Sequence, residues 1–152
     1  MSQQEKYRVV PLQPEHRTEW ERLFAGYAAF YKVDQTPQMR EVVWQWIFDP
    51  GHVVKALVAG DAAGKPVGLA HYRAMPRPLR AVTGGFLDDL FVEPGLRGKG
   101  VVQALMDALA DIGRAQGWAT IRWLTAEDNY RARSFYDRIA ARTAFLTYEM
   151  KL

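Results

Sequence analysis

Hydrophobic positions along the chain switch between a spacing of two and spacings of three and four, and each switch marks an element. Residues 7–12 (YRVVPL) read as a short strand. Beyond Pro14 the residues Trp20, Leu23, Phe24, Tyr27 and Tyr31 recur three and four apart, as on one face of a helix. A second helix is predicted from Thr36 and Pro37 to Phe48, with threonine as its cap and proline in the first helical position; Asp49-Pro50-Gly51 ends it. Residues 52–60 and 66–74 (PVGLAHYRA) read as two strands joined by a turn at residues 61–65. The basic stretch from Arg73 to Arg80, interrupted by Pro76 and Pro78, reads as a solvated hairpin turn.

The second half alternates more regularly. Residues 83–92 (TGGFLDDLFV) form the next predicted strand, broken by Glu93-Pro94-Gly95. A long helix follows from about Gly98 to Gln116, with Val101, Ala104, Leu105, Ala108, Leu109 and Ile112 on one face. A strand at residues 119–125, a short helix at 129–140 and a last strand at 144–150 complete the chain. The order β α α β β β α β α β predicts a mixed α/β sheet with helices on both faces. With 152 residues, no repeat and no linker, the whole of 1–152 is expected to be one domain.

Composition narrows the possible functions. Apolar residues make up 49% of the chain, enough for a sizeable core. The absence of cysteine excludes disulfides, thiolate metal sites and a cysteine nucleophile, and suits a reducing cytoplasm. No apolar run has the length of a membrane helix and the opening MSQQEKYR does not resemble a signal peptide, so a cytoplasmic protein without a membrane partner is expected. A net charge of +3 without a strong basic cluster argues against a nucleic-acid partner.

The richest stretch is VEPGLRGKGVVQAL, residues 92–105. Gly95, Gly98 and Gly100 stand where a strand hands over to a helix N-terminus, whose free N–H groups and dipole favour an anion. Arg97 and Lys99 turn that site toward a phosphate. A nucleotide-triphosphate loop would need a hydroxyl after its lysine, and here Gly100 and Val101 follow Lys99. A dinucleotide fingerprint would need a third glycine where Gln103 stands.

Arg97-x-x-Gly100 opening a helix after Leu90-Phe91-Val92, together with Asn129-x-x-Ala132-x-x-Phe135-Tyr136 on a later helix, resembles the GNAT superfamily of acyl-CoA-dependent N-acetyltransferases. Diamine acetyltransferases and the yeast-type protein and polyamine acetyltransferases are the nearest in pattern. The resemblance implies a GNAT-like sheet, acetyl-CoA as co-substrate, no metal, and a homodimer. It implies that Leu90, Phe91 and Val92 border the cofactor, with Arg97, Gly98, Lys99 and Gly100, and then Val101, Val102 and Gln103, around its pyrophosphate. Val102 departs from the family's glycine or alanine at that place.

Asn129 and Tyr136, seven residues apart, project from one face of their helix, with Phe135 and Ile139 on the adjoining, core-facing side. The resemblance gives Asn129 a contact to the pantetheine arm and makes Tyr136 the proton donor to the departing thiolate. It also points to Asp88 as the base, with Asp89 as the alternative or a structural acceptor. Strict alternation would put Asp88 on one face with Leu90 and Val92, and Asp89 on the other with Leu87 and Phe91. Phe30, Tyr31, Trp44 and Tyr72 are candidates for an aromatic wall around a cationic substrate. His71, alone on a strand, reads as structural. The expected reaction is direct transfer of acetyl from acetyl-CoA to a primary amine, on a small polyamine or amino compound or on a lysine-bearing peptide. The alternative is a non-catalytic acyl-CoA-binding sensor or scaffold.

Overall fold

The protein was analysed as a computed structural model that describes residues 6–152. Five strands form one sheet in chain order: β1 (Arg8–Pro11), β2 (Lys55–Gly60), β3 (Pro66–Arg77), β4 (Val82–Val92) and β5 (Ile121–Trp123). The first four pair antiparallel and β5 joins β4 in parallel. Helices α1 (Arg17–Phe30) and α2 (Pro37–Phe48) lie between β1 and β2 in sequence, α3 (Val101–Gln116) joins β4 to β5, and α4 (Tyr130–Ile139) follows β5. Among the described residues no helix is long and apolar enough to cross a membrane.

Strand β2 reads as a continuous apolar run because both faces of the sheet are covered. Leu57 and Ala59 pack with Val101, Leu105 and Leu109 of α3, whereas Ala56 and Val58 pack with Trp20, Leu23 and Phe24 of α1. The helix boundaries follow their caps. The Thr36 hydroxyl accepts a hydrogen bond from the Met39 amide at 3.2 Å, as expected for a threonine followed by proline. At Gly68 on β3 a Cβ would stand only 2.6 Å from Val101 Cγ1, so the missing side chain lets the start of α3 close against the sheet.

Three expectations from the sequence need correction. The basic stretch from Arg73 onward is mostly strand: β3 continues to Arg77 and only Pro78–Arg80 turns. Proline is tolerated there because β2 stops pairing at Tyr72, leaving the amide side of Pro76 on an open edge. Strand β5 is confined to residues 121–123. The last strand, expected at residues 144–150, does not form: α4 ends at Ala140 in an extended conformation (φ −151°, ψ 177°) and residues 141–152 join no ladder of the sheet. A strand needs a partner for its backbone, and this segment has none among the described residues.

Candidate active site

The site begins where the sheet parts. Strand β5 pairs with β4 only at Gly85, Phe86 and Leu87, so from residue 88 onward β4 has no strand partner on that side among the described residues. A cleft of about 630 Å³ opens along this part of β4, with Leu90, Phe91 and Val92 on one wall and α4 on the other. Phe30 and Tyr31, at the end of α1, also border it.

The floor is the loop leading into α3. Gly98 (φ +77°) and Gly100 (φ +97°) both adopt the left-handed conformation, which L side chains rarely take, and Gly100 caps the helix. The loop therefore brings the N-terminus of α3 to the cleft, and the positive end of a helix is a place where an anion can sit. Of the loop residues expected around the pyrophosphate, Arg97, Gly98, Gly100, Val101, Val102 and Gln103 border the cleft; Lys99 does not, and is exposed. The Val101 side chain is buried in the core; Val102 is half-buried and packs against the same core cluster, so its methyl groups are accommodated at the family's glycine or alanine position. Arg97 stacks its guanidinium over the Phe30 ring at 5.1 Å. Arg131 places Nη2 3.5 Å from where a Gly98 Cβ would stand, beside the glycine loop. With Arg138, three guanidinium groups line the cleft, and no carboxylate does so among its described lining residues. Such a cleft attracts a polyanion.

On α4 the two residues predicted from their spacing both reach the cleft. Asn129 caps the helix, its Oδ1 accepting from the Ala132 amide at 3.3 Å, which leaves the side-chain NH2 group to donate. Tyr136 packs edge-on against Trp123 with ring centroids 5.3 Å apart. Burial, reinforced by Tyr31, pushes its phenol up to about 12. Phe135, expected on the core side, packs against the core and borders the cleft as well.

The acidic pair is arranged differently from strict alternation. Register runs from His71 opposite Asp89 to Tyr72 opposite Leu87, so Asp88 is the extra residue of a β-bulge. Leu87, Leu90 and Val92 belong to the α3 side, and the expected shared face of Asp88 with Leu90 and Val92 does not exist. Asp88 instead turns to Arg73, whose Nε lies 3.2 and 3.1 Å from its two oxygens. Burial raises the Asp88 carboxyl above its ordinary value, and Arg73 only partly opposes that. Asp89 turns to His71, with 2.8 Å between Nδ1 and Oδ2.

The tautomer of His71 follows from its other neighbour. The Trp20 indole N–H, a donor only, reaches His71 Nε2 at 3.0 Å, so Nε2 accepts and Nδ1 carries the proton given to Asp89. The ring is only 2% exposed, in keeping with a structural histidine. Tyr27 completes this row: it borders the cleft, and its phenol is raised by burial and then by the Asp89 charge. A polar chain thus runs from the core to the cleft through Trp20, His71, Asp89 and Tyr27.

The aromatic wall does not assemble as a unit. Phe30 and Tyr31 border the cleft, but Trp44 packs on Trp20 and Phe48, and Tyr72 packs toward Trp118 on the α3 side. Tyr27 and the arginines of α4 were not singled out in the sequence. Tyr27 was hidden by its place in the apolar series of α1, while Arg131 is two positions from Asn129 and a basic residue so close to a candidate ligand was a usable signal.

Comparison with known proteins agrees with this geometry. The sequence profile described as the acetyltransferase (GNAT) family matches residues 18–140. A D-amino-acid N-acetyltransferase of Saccharomyces cerevisiae is 25% identical over 142 residues, 93% of this chain and 88% of the yeast protein. The fold is similar to a ribosomal-protein-alanine N-acetyltransferase from Brucella melitensis biovar Abortus, at TM-score 0.76 and 23% identity over 96% of this chain and 99% of that one. It is also similar to AAC(6')-Iy solved with a bisubstrate CoA analogue, at TM-score 0.83 and 17% identity over 96% and 98% of the two chains.

Proposed function

Because the chain belongs to the acetyltransferase (GNAT) family and is an acetyl-CoA-dependent N-acetyltransferase, we propose that it acetylates the primary amine of a small amino compound or of a lysine side chain, in the cleft between β4 and α4. The observation that carries this reading is the cleft itself: a left-handed glycine loop at a helix N-terminus and, among the described residues, three arginines without a carboxylate and a strand edge without a partner.

In this reading the amides around Gly98 and Gly100, with Arg97 and Arg131, hold the pyrophosphate. Backbone groups of Leu90, Phe91 and Val92 and the free NH2 of Asn129 hold the pantetheine arm and polarise the thioester carbonyl. An amine with a pKa near 10 is almost wholly ammonium at pH 7, so its first proton must leave before attack. Asp89 is the acceptor we favour, through water or the Tyr27 hydroxyl, because Asp88 is held by Arg73 on the bulge. The free amine then forms the C–N bond, the C–S bond breaks, and the second nitrogen proton balances the one the sulfur takes up. The products are the acetamide, the free thiol and one proton.

Tyr136 is proposed as the group that meets the departing sulfur. A phenol pushed up to about 12 holds its proton more tightly than a thiol of ordinary pKa, about 8.5, so full transfer to the thiolate would run uphill. Its contribution is therefore a hydrogen bond to the developing thiolate, with the proton following as nitrogen loses its own.

The name of the yeast relative puts amino acids, including their D forms, beside polyamines, aminoglycosides and lysine peptides as trial acceptors. The test is thiol release from acetyl-CoA with each acceptor class, with the acetylated product identified by mass spectrometry. Turnover with an amine supports the reading. Saturable acetyl-CoA binding without transfer to any class would favour the sensor or scaffold.

A further inference from the structure

Strand β3 is buried from Pro66 to His71, and among the described residues His71 is the only polar or charged one that is buried. A polar group in such a place must find partners within the protein. His71 finds two: Nε2 accepts from the Trp20 indole at 3.0 Å, and Nδ1 donates to Asp89 Oδ2 at 2.8 Å. Phe24 packs against the imidazole with centroids 4.7 Å apart and Trp20 meets it edge-on at 6.0 Å, so the ring has little room to turn. A polar row of this kind adds little stability over an apolar one of the same shape. Its use is to be sought at the end that leaves the core, which is Asp89, with a side chain 27% exposed.

Asp89 stands where the sheet is least regular. It faces His71 across the ladder of β3 and β4, one step from the bulge at Asp88 where the register shifts. His71 is itself fixed on both sides of β3, opposite Ala56 on β2 and Asp89 on β4. The imidazole thus ties a carboxylate on an irregular strand to a rigid one, and its bond to Oδ2 leaves Oδ1 as the free basic atom. The charged and titratable groups around Asp89 are His71 on β3, Tyr27 on α1 and Asp88 on its own strand, which is paired with Arg73; Tyr31 and Tyr136 lie beyond Tyr27.

We propose that His71, backed by Trp20, is a positioning residue for acetyl transfer, holding the Asp89 carboxylate in the rotamer from which Oδ1 takes the proton of the amine. The proposal rests on Asp89 as the proton acceptor, argued above. It also sets where that proton stops. The one lone pair of the neutral ring, on Nε2, is occupied by the Trp20 N–H, a donor only, so His71 cannot take the proton in its turn. The proton lost by the ammonium stays on Asp89 and returns to water by the cleft.

Two substitutions at one position test this, because both remove Nε2 and only one removes the donor to Asp89. His71→Asn keeps an N–H where Nδ1 stood, whereas His71→Leu has none. With an amine acceptor from the screen above, kcat/KM of His71→Leu at pH 7 should fall about ten- to a hundredfold. It should climb back toward wild type by pH 10, where an amine of pKa ~10 supplies its own free base. His71→Asn should keep the shape of the wild-type profile. A histidine that only fills the core would give losses that follow stability in urea, and leucine, which buries no amide, would then be the better tolerated. A second readout needs neither variant nor acceptor: 15N spectra of the unmodified protein at pH 7.5 should show His71, one of three histidines, protonated at Nδ1 and bare at Nε2. A ring protonated at Nε2 overturns the proposal. So does a His71→Leu profile parallel to wild type when Asp89→Asn is rescued at high pH, a result that keeps Asp89 as the base and removes only its positioning. An Asp89→Asn profile without rescue removes the base, and the positioning with it.

Discussion

Replacing Asp89 by asparagine separates the two jobs that its carboxylate holds. Structurally it accepts the proton on His71 Nδ1 at 2.8 Å, and an asparagine Oδ1 can accept the same hydrogen bond, so the Trp20–His71 row stays satisfied. The exchange of a charged for a neutral acceptor costs about 1 kcal/mol, leaving the fold intact. Chemically the variant has lost its proton acceptor, worth roughly 10²- to 10⁴-fold in rate. With an amine of pKa ~10, only about one molecule in a thousand is free base at pH 7, and that fraction grows tenfold per pH unit. The kcat/KM of Asp89→Asn should therefore start far below wild type at pH 7 and climb about tenfold per unit to pH 10, closing on the wild-type curve. The assay is thiol release at saturating acetyl-CoA, with the amine varied from pH 6.5 to 10. Asp88→Asn is the control: its pair with Arg73 has side chains 35% and 31% exposed, worth at most ~1 kcal/mol, and its pH profile should follow wild type. Parallel profiles for Asp89→Asn and wild type would refute the role of Asp89, and a rescue seen only in Asp88→Asn would return the base to the bulge.

Tyr136→Phe should keep acetyl-CoA affinity and lower kcat at least tenfold; because the phenol stays protonated up to about 12, wild-type kcat should show no loss from its ionisation below pH ~10.5. Arg131→Gln should weaken acetyl-CoA binding two- to tenfold by calorimetry while leaving S-acetyl-pantetheine, which lacks the pyrophosphate, unaffected. Gly68→Ala should destabilise the protein by about 1–3 kcal/mol in urea unfolding, since its Cβ would press on Val101 at 2.6 Å. A raised carboxyl keeps its proton in the folded state after the unfolded chain has lost it, so Asp88 makes wild-type stability fall as pH rises above about 3.8. Asp88→Asn should lose that part of the slope on the alkaline side of the ordinary carboxyl value, as read from urea unfolding against pH.

The sequence was most legible where local chemistry sets the backbone. Gly98 and Gly100 announced a loop that only glycine takes easily, and both have positive φ. Asn129 and Tyr136, two helical turns apart, were bound to share a face once α4 formed, and both border the cleft. Legibility failed where a long-range event changed the local rule. The bulge at Asp88 moves one residue out of register with β3, and no pattern in FLDDLF marks it. Trp44 and Tyr72 carry the right chemistry for a cation site, but tertiary packing sends them to opposite sides of the sheet. The strand pattern at residues 144–150 is genuine as a pattern, but a strand also requires a partner, which the chain's own sequence does not reveal.

The most direct test of the cleft as the acetyl-CoA site is a calorimetric titration of acetyl-CoA into wild type and Gly100→Asp. The variant sets a carboxylate at the mouth of an anion site, on a residue whose φ of +97° already disfavours any side chain. Wild type should bind one acetyl-CoA per chain and the folded variant should lose at least tenfold in affinity, with circular dichroism showing an unchanged fold. Undiminished affinity in a folded Gly100→Asp would place the cofactor elsewhere and contradict the site described above.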